Sequence, residues 1–548
     1  MVYRSNLGVL GASFQPTVQP FPFPASVGGV NAIDGLMGMN ITDCIYTFNL
    51  MPVEYGLQLR QGYYEWAVNI GGASPEDIRS VVPYSGLTSS ASADKVFAVS
   101  TSGIYDVTTF GTDNPAKLIT FGTIGDESGY GVSTNFNNDA SSHYLFYADR
   151  SNGIYQYTVA GGWAVPTGWQ YDLGAGLVSF PVADVRFIMV HKQRVWVFLK
   201  DSEDAWYLPV ASISGTLVKF TFGSKLVKGG ALAGMFNWTV DGGIGVDDHL
   251  VVVSRAGDVA VWKGSDPTAS DWDMVGIWFI GELPASYKLG LNSGGALYLL
   301  SSFGIVDCAD LLQGVDVGGS NAGPSSRINR FLRADIKAGI SSHEWAIETH
   351  PADGFLQVIT PEPVNTPYLQ YTQDLTTKAW GFWEDVPSLC GVSAGGEYYM
   401  GSVDGKVYVY GGIADGTTVA GVIGNEITFR TLTAFTGTDT QGTNKKVGMV
   451  RTHEISVGGD GVFNATAVYD YDIEARINAP IFIDDAGSGV WDSSVWSVGT
   501  WSYGTEAKST LRGSTGMGNV FAIALEGSAR NRLNIVGWDV MFQRGGLL

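Results

Sequence analysis

Groups able to transfer a proton or hold a metal are plentiful in this sequence but are not gathered. Six histidines, His143, His191, His249, His343, His350 and His453, are scattered along the chain. No two have the HExxH spacing that sets two imidazoles and a general base on one helix face. The acid-rich stretches Asp247-Asp248, Asp484-Asp485 and Asp470/Asp472/Glu474 offer oxygen ligands. None follows the twelve-residue calcium loop. On a strand, the alternate spacing of Asp470, Asp472 and Glu474 would set three acids on one face and Tyr469 and Tyr471 on the other. Gly513, Gly516 and Gly518 lack the Lys and helix of a phosphate-binding loop and read as a hairpin turn. No G-x-S-x-G nucleophile elbow occurs.

Sugar chemistry is the remaining catalytic option. A sialidase-type turn would read S-x-D-x-G-x-T-W, and Ser402-Val403-Asp404-Gly405 is one partial echo with its glycine misplaced. A glycosidase also needs a placed pair of carboxylates, which the sequence does not single out. The sixteen tryptophans could stack on sugars, but they better suit blade interfaces or subunit contacts, where Trp is common. The residues therefore point to no catalytic, cofactor-binding or metal site, and the chain reads as a non-enzyme.

Charge narrows the partners. The net charge is −21 and only 16% of residues are charged. Gripping nucleic-acid phosphate takes clustered Lys and Arg, and Lys445-Lys446 is the one adjacent basic pair. Cys44, Cys308 and Cys390 are too few and too widely spaced for a disulfide framework or a zinc site. The first residues, MVYRSNLGVLGASFQP, are too weakly apolar for a secretory signal. No stretch approaches the length of a membrane helix, so no membrane insertion is expected.

The elements that would carry these groups are strands. Seventy-three glycines imply many tight turns. One unit recurs: a β-rich run, a turn, and a second β-rich run. It is clear at Val96–Val107 around Ser102-Gly103, at Tyr144–Tyr157 around Asn152-Gly153, and at Val195–Leu208 around Glu203-Asp204. It returns at Leu250–Trp262 around Ala256-Gly257, at Leu297–Val306 around Phe303-Gly304, and at Tyr398–Tyr410 around Asp404-Gly405. A degraded copy joins Phe355–Val358 to Tyr368–Tyr371 through a Pro-rich turn. The step of about 50 residues is that of a four-stranded propeller blade. Helices are expected only as single turns, at Ser74-Pro75-Glu76-Asp77 and at Asp310–Gln313.

The predicted fold is all-β: a β-propeller of six or seven blades plus a β-sandwich-like platform formed by the chain ends. Residues 1–90 form a non-repeating segment assigned to the platform, 91–412 the propeller, and 413–548 the C-terminal β-sandwich-like domain. Strands are expected at Ile427–Phe435, Gly448–Val457, Val462–Tyr471, Val520–Glu526 and Leu533–Gln543. The proline run Pro16–Pro24 should be extended.

One stretch resembles a known family. Asn49-Leu50-Met51-Pro52, Gly56-Leu57 and Arg60-Gln61-Gly62-Tyr63 resemble the opening of short-tailed bacteriophage (podovirus) tail nozzle proteins, also called tail tubular proteins. Trp491–Trp496 (WDSSVW) and the ending Phe542-Gln543-Arg544-Gly545-Gly546 look similar to C-terminal features of that group. The resemblance implies a structural virion protein, a homohexamer ring assembled in the host bacterial cytoplasm and placed at the end of the virion tail. Such a ring extends the DNA channel, retains the packaged genome and opens for DNA ejection. Its implied partners are other copies of itself, the tail adaptor or portal-side protein, and tail fibres or spikes. Double-stranded DNA would pass without tight binding, and no cofactor is implied. An acidic wall suits that passage, because it repels the polyanion. The alternative is a propeller-fold glycan-binding or glycan-cleaving protein of a phage tail.

Overall fold

The computed structural model describes residues 18–86, 94–139, 142–172, 174, 176–241, 246–318, 323–361, 368–438, 442–457, 461–474 and 505–547. The recurring unit is the middle hairpin of a small antiparallel sheet. In the second sheet, Gly131–Asp139, Ser142–Asp149, Gly153–Thr158 and Gly162–Ala164 pair in chain order. The described residues form seven such blades: three are separate four-stranded sheets, one, Gly290–Asp307, is three-stranded, and the third, sixth and seventh are four-strand portions of larger sheets. Their first strands neighbour one another in sequence, and the last, Cys390–Ala394, returns to the first, Ile78–Tyr84. The ring is closed: the fold is a seven-bladed β-propeller.

Packing follows from strands buried on both faces. In blade 4, Leu250 and Val252 point toward blade 3, where they join Trp196 and Phe198. Val251 and Val253 point the other way and join Leu297, Leu299 and Val306 of blade 5. Every successive pair of blades shares an apolar core of this kind, including Tyr398 and Tyr408 against Phe355 and Trp383 between blades 6 and 7. Flat aromatic and β-branched side chains fill such wedge-shaped gaps. The turn glycines allow close approach: Gly153 has φ +79°, and an added Cβ would meet the carbonyl oxygen of Val182 at 2.4 Å.

The propeller begins earlier than residue 91. Ile78–Tyr84 is the inner strand of blade 1, and Tyr63–Val68 supplies the outer strand of blade 7 by pairing with Val407–Tyr410. Of the described residues before 91, only those before Tyr63 belong to the platform. The expected helix at Ser74–Asp77 is absent; Glu76 instead accepts hydrogen bonds from Ser100, Ser102 and Tyr105. Asp310–Gln313 does fall in a helix, α1 (Cys308–Leu312), capped by Asp307. A second helix, α2 (Asn329–Ala338), buries Leu332 and Ile336 beside blade 5.

The platform is a two-sheet sandwich. One sheet holds Gln19–Pro24, Leu50–Val53, Gly56–Leu59, Arg532–Leu547, Thr443–Val457 and Thr505–Gly513. The other holds Asp43–Phe48, Ile427–Thr433, Phe521–Ala529 and Val462–Tyr469, and runs on into blade 6 through Phe48 and Phe382. Phe23, Leu57, Phe429, Phe463, Ile523 and Trp538 meet between the two sheets. Both chain ends thus build one core. Thr505–Gly513 was not among the expected strands, and Trp491–Trp496 lies outside the described residues. Asp470 and Tyr471 take left-handed backbone angles just past the strand end at Tyr469, so Asp470, Asp472 and Glu474 sit in a turn and do not share a strand face.

Because Tyr63–Val68 closes blade 7, a chain starting at Ile70 should leave Val407–Tyr410 unpaired. Limited proteolysis should then cut blade 7 first, and unchanged resistance of that blade would contradict the closure.

Candidate functional site

The stretch that carries the family resemblance folds into a buried junction between propeller and platform. Arg60 is fully buried, and all five of its guanidinium N–H groups are used. Nη1 and Nη2 donate to the two carboxylate oxygens of Asp415 at 2.7 and 2.6 Å. The remaining donors reach the carbonyls of Gln61 (3.0 Å) and Glu384 (3.2 Å) and Oδ1 of Asn49 (2.9 Å). Burial alone would lower the Arg60 pKa, but Asp415 outweighs it and raises it, so the guanidinium stays charged.

Asn49 is the second half of the junction. Its φ of +59° suits Asn better than a β-branched residue. Its N–H donates to the Phe382 carbonyl at 2.7 Å. Its Oδ1 accepts from the Glu384 N–H at 2.9 Å, and its Nδ2 donates to the Thr428 carbonyl at 2.8 Å. One side chain therefore links blade 6, the platform strand Ile427–Thr433 and Arg60. The other motif residues serve the same joint. Pro52 offers its carbonyl to Thr377 Oγ1 at 3.2 Å. Leu57 enters the platform core. At Gly62 an added Cβ would meet the Ala414 carbonyl oxygen at 2.0 Å, so no side chain fits. Tyr63 packs edge-on to Tyr408. These residues hold bodies together and present no reacting group.

The chemistry-bearing residues singled out in the sequence remain apart. Asp248 is engaged by Thr239 Oγ1 (2.8 Å) and Lys192 (3.8 Å). The Asp247 side chain and Asp484-Asp485 lie outside the described residues. Asp470 accepts the Asn519 N–H. In the turn after Ser402, Asp404 accepts from Ser402 and Tyr408 and pairs with Lys406, which also pairs with Glu65, so the group is a hairpin corner tied to its neighbouring strand. His191 is buried against Asn237, His350 binds Ser393 and Asp353, and His453 bridges Ser509 and Asp539. Among the described residues no three His, Cys, Asp or Glu side chains converge as a metal site. The three cysteines are buried free thiols. Lys445 is buried and donates to the Asn519 carbonyl, so it does not face outward beside Lys446. Trp196, Trp345, Trp380, Trp383 and Trp538 are fully buried and unavailable to a sugar. Among the described residues no helix is long and apolar enough to cross a membrane.

The propeller axis also holds a cavity. Ser133, Met189, Asn237, Asn292, Glu348 and Val392 from successive inner strands line a cavity of ≈340 Å³. Burial pushes the Glu348 carboxyl up to about 7, partly offset by Lys288. Sequence reasoning did not foresee these axial groups, nor Arg79, Arg150 and Arg255 above them. One signal was present: Arg150 and Arg255 each directly follow the second strand of a blade.

No protein-family model matches the chain, and no curated protein matches it. Among solved structures, the computationally designed Ika8 protein aligns at 10% identity over 63% of this chain and 99% of its own, with TM-score 0.33. Saccharomyces cerevisiae Sqt1 aligns at 11% identity over 64% of this chain and 98% of its own, with TM-score 0.32. BBS1N, in a complex with ARL6DN, aligns at 13% identity over 42% of this chain and 64% of its own, with TM-score 0.27. Likenesses this low carry no functional argument.

Two predictions follow from the geometry. Arg60→Met strands Asp415 in a buried site and should cost about 3–5 kcal/mol; denaturant unfolding followed by tryptophan fluorescence should show the platform melting separately from the propeller. Glu348 has a folded pKa above its unfolded value of about 4.3, so the folded state holds a proton that the unfolded state has lost. Stability should fall as pH rises between those two values, and Glu348→Gln should flatten that slope in a series of urea titrations.

Proposed function

We propose that this chain is a structural ring subunit of a short bacteriophage tail, a homohexameric nozzle that extends the DNA channel, retains the genome and opens for ejection. The observation that carries the reading is the junction. Asn49, Pro52, Arg60, Gly62 and Tyr63, from the stretch that resembles the nozzle family's opening, lie at a joint between propeller and platform, while Gly56 and Leu57 pack within the platform beside it. A subunit that must transmit force along a tail needs that joint rigid. The net charge of −21 supports passage of DNA without retention by phosphate contacts.

The platform supplies surface for neighbouring copies. The outer face of its larger sheet exposes Met449 (45%), Leu511 (45%) and Val536 (42%) around the charged group Arg451, His453 and Asp539. Among the described residues Thr505–Gly513 pairs on one side only, with Thr443–Val457. Such mixed faces suit subunit contacts. The chain itself performs no chemistry in this reading. Its partners are the adaptor on the portal side and tail fibres or spikes, and its place is the virion tail.

Mass photometry with negative-stain imaging of the purified chain tests the reading, alone and mixed with lysate-free adaptor protein. Six-fold rings with a negative lumen are expected. A monomer at all concentrations that cleaves or binds cell-surface glycan would overturn it in favour of the glycan-directed alternative.

A further inference from the structure

The mouth of the propeller axis, on the side where the inner strands begin, gathers positive charge in a protein that is otherwise acidic. Arg79 (blade 1), Arg150 (blade 2) and Lys288 (before the inner strand of blade 5) line one enclosed space with Tyr287, Glu344 and His343, whose imidazole is held toward its neutral form by burial. Arg255 of blade 4 stands behind them. The guanidinium carbons of Arg150 and Arg255 lie 4.7 and 4.8 Å from the centre of the same Tyr287 ring. Two like charges are thereby held together on one aromatic ring. Burial pulls the Arg255 pKa down, and Arg150 adds to that.

The carboxylates nearby are already engaged. Asp77 pairs with Arg79 at 3.1 Å. Glu127 is divided between Arg150 at 3.6 Å and His343 at 3.5 Å. Glu344 accepts from the Tyr130 hydroxyl at 3.3 Å, and Glu348 sits deeper in the channel. Several donors are left over. Arg79 Nε, Arg150 Nη1 and Arg255 Nη2 are buried without a hydrogen-bond partner among the described residues, and Arg150 Nε has only its 3.6 Å contact with Glu127. Leaving charged donors unmet costs more than leaving neutral ones unmet. A water could accept from one or two of them but would do nothing for the like-charge repulsion. A negative ion does both. The enclosed space is ≈10 Å³, the scale of one water or one monatomic ion.

We infer that the axial mouth binds a single small inorganic anion of chloride size, held by Arg150 and Arg79 with Lys288 and His343 around it. The ion ties together segments from separate blades, and so stabilises the closed ring of blades. Arg255 and Tyr287 act through Arg150, as positioning residues that fix its guanidinium against the ion.

Bromide tests this on the intact chain. Crystals soaked in sodium bromide should show an anomalous peak within hydrogen-bonding distance of Arg150. In solution, the thermal midpoint should rise saturably with chloride or bromide over fluoride at constant ionic strength. Arg150→Lys should raise the half-saturating halide concentration by about tenfold. If that variant fails to fold, the wild-type bromide map and halide series decide alone. Overturning results are density for water only, a peak without the halide-specific thermal response, or an unchanged response in Arg150→Lys. Phosphate or sulfate protecting as well as chloride would overturn the size assignment.

Discussion

A buried arginine is costly unless a carboxylate meets it with good geometry and every remaining N–H finds an acceptor. Arg60 satisfies both conditions, with Asp415 taking two bonds and three segments of backbone or side chain taking the rest. The partners come from different parts of the molecule: Asn49 from the platform, Gln61 next to Arg60 itself, Glu384 from blade 6, and Asp415 from the stretch leaving blade 7. Removing the charge would not simply lose a contact. It would leave the Asp415 carboxylate without its charged partner in a dry interior. The junction is therefore a condition for the two bodies sharing one orientation.

The constraint has a topological source. A propeller closes best when its last blade is completed by a strand from the opposite end of the chain. Here Tyr63–Val68 does this for Val407–Tyr410. That closure brings residues near 62 and 412 together, as the mutual hydrogen bonds of Gly62 with Gly411 and Gly412 show. Everything before and after these points must leave from one place on the rim. A sandwich woven from both tails is the economical result, with Gln19–Pro24 lying against Arg532–Leu547. The sheet that continues from blade 6 into the platform adds a second tie.

The hairpins of the blades were legible because each is local: two β-rich runs and a turn within about 15 residues. All seven repeats read from the sequence are the middle hairpins of blades. Tyr63–Val68 was not legible as propeller, because its partner lies more than 300 residues away and local pattern carries no such information. The Ser74–Asp77 signal failed because Glu76 is consumed by hydroxyls from blade 1. Helix α2 was hidden by its composition: Arg330, Arg333 and Asp335 mask a short apolar stripe of Leu332 and Ile336, and no side chain caps its start. Of the junction, the motif residues were visible as a resemblance. Asp415 was not, because it lies among Gly and Thr residues with no strand pattern of their own, although Asp415–Thr417 pairs with the strand Tyr63–Val68.

The central claim is that propeller and platform behave as one body through the Arg60 junction. Amide hydrogen exchange of the full chain measures this most directly. The account predicts that the amides of Asn49, Arg60 and Asp415 are protected as strongly as the inner strands of blades 6 and 7, and exchange only when those strands do. Fast exchange at these three positions, with the blades still protected, would contradict it.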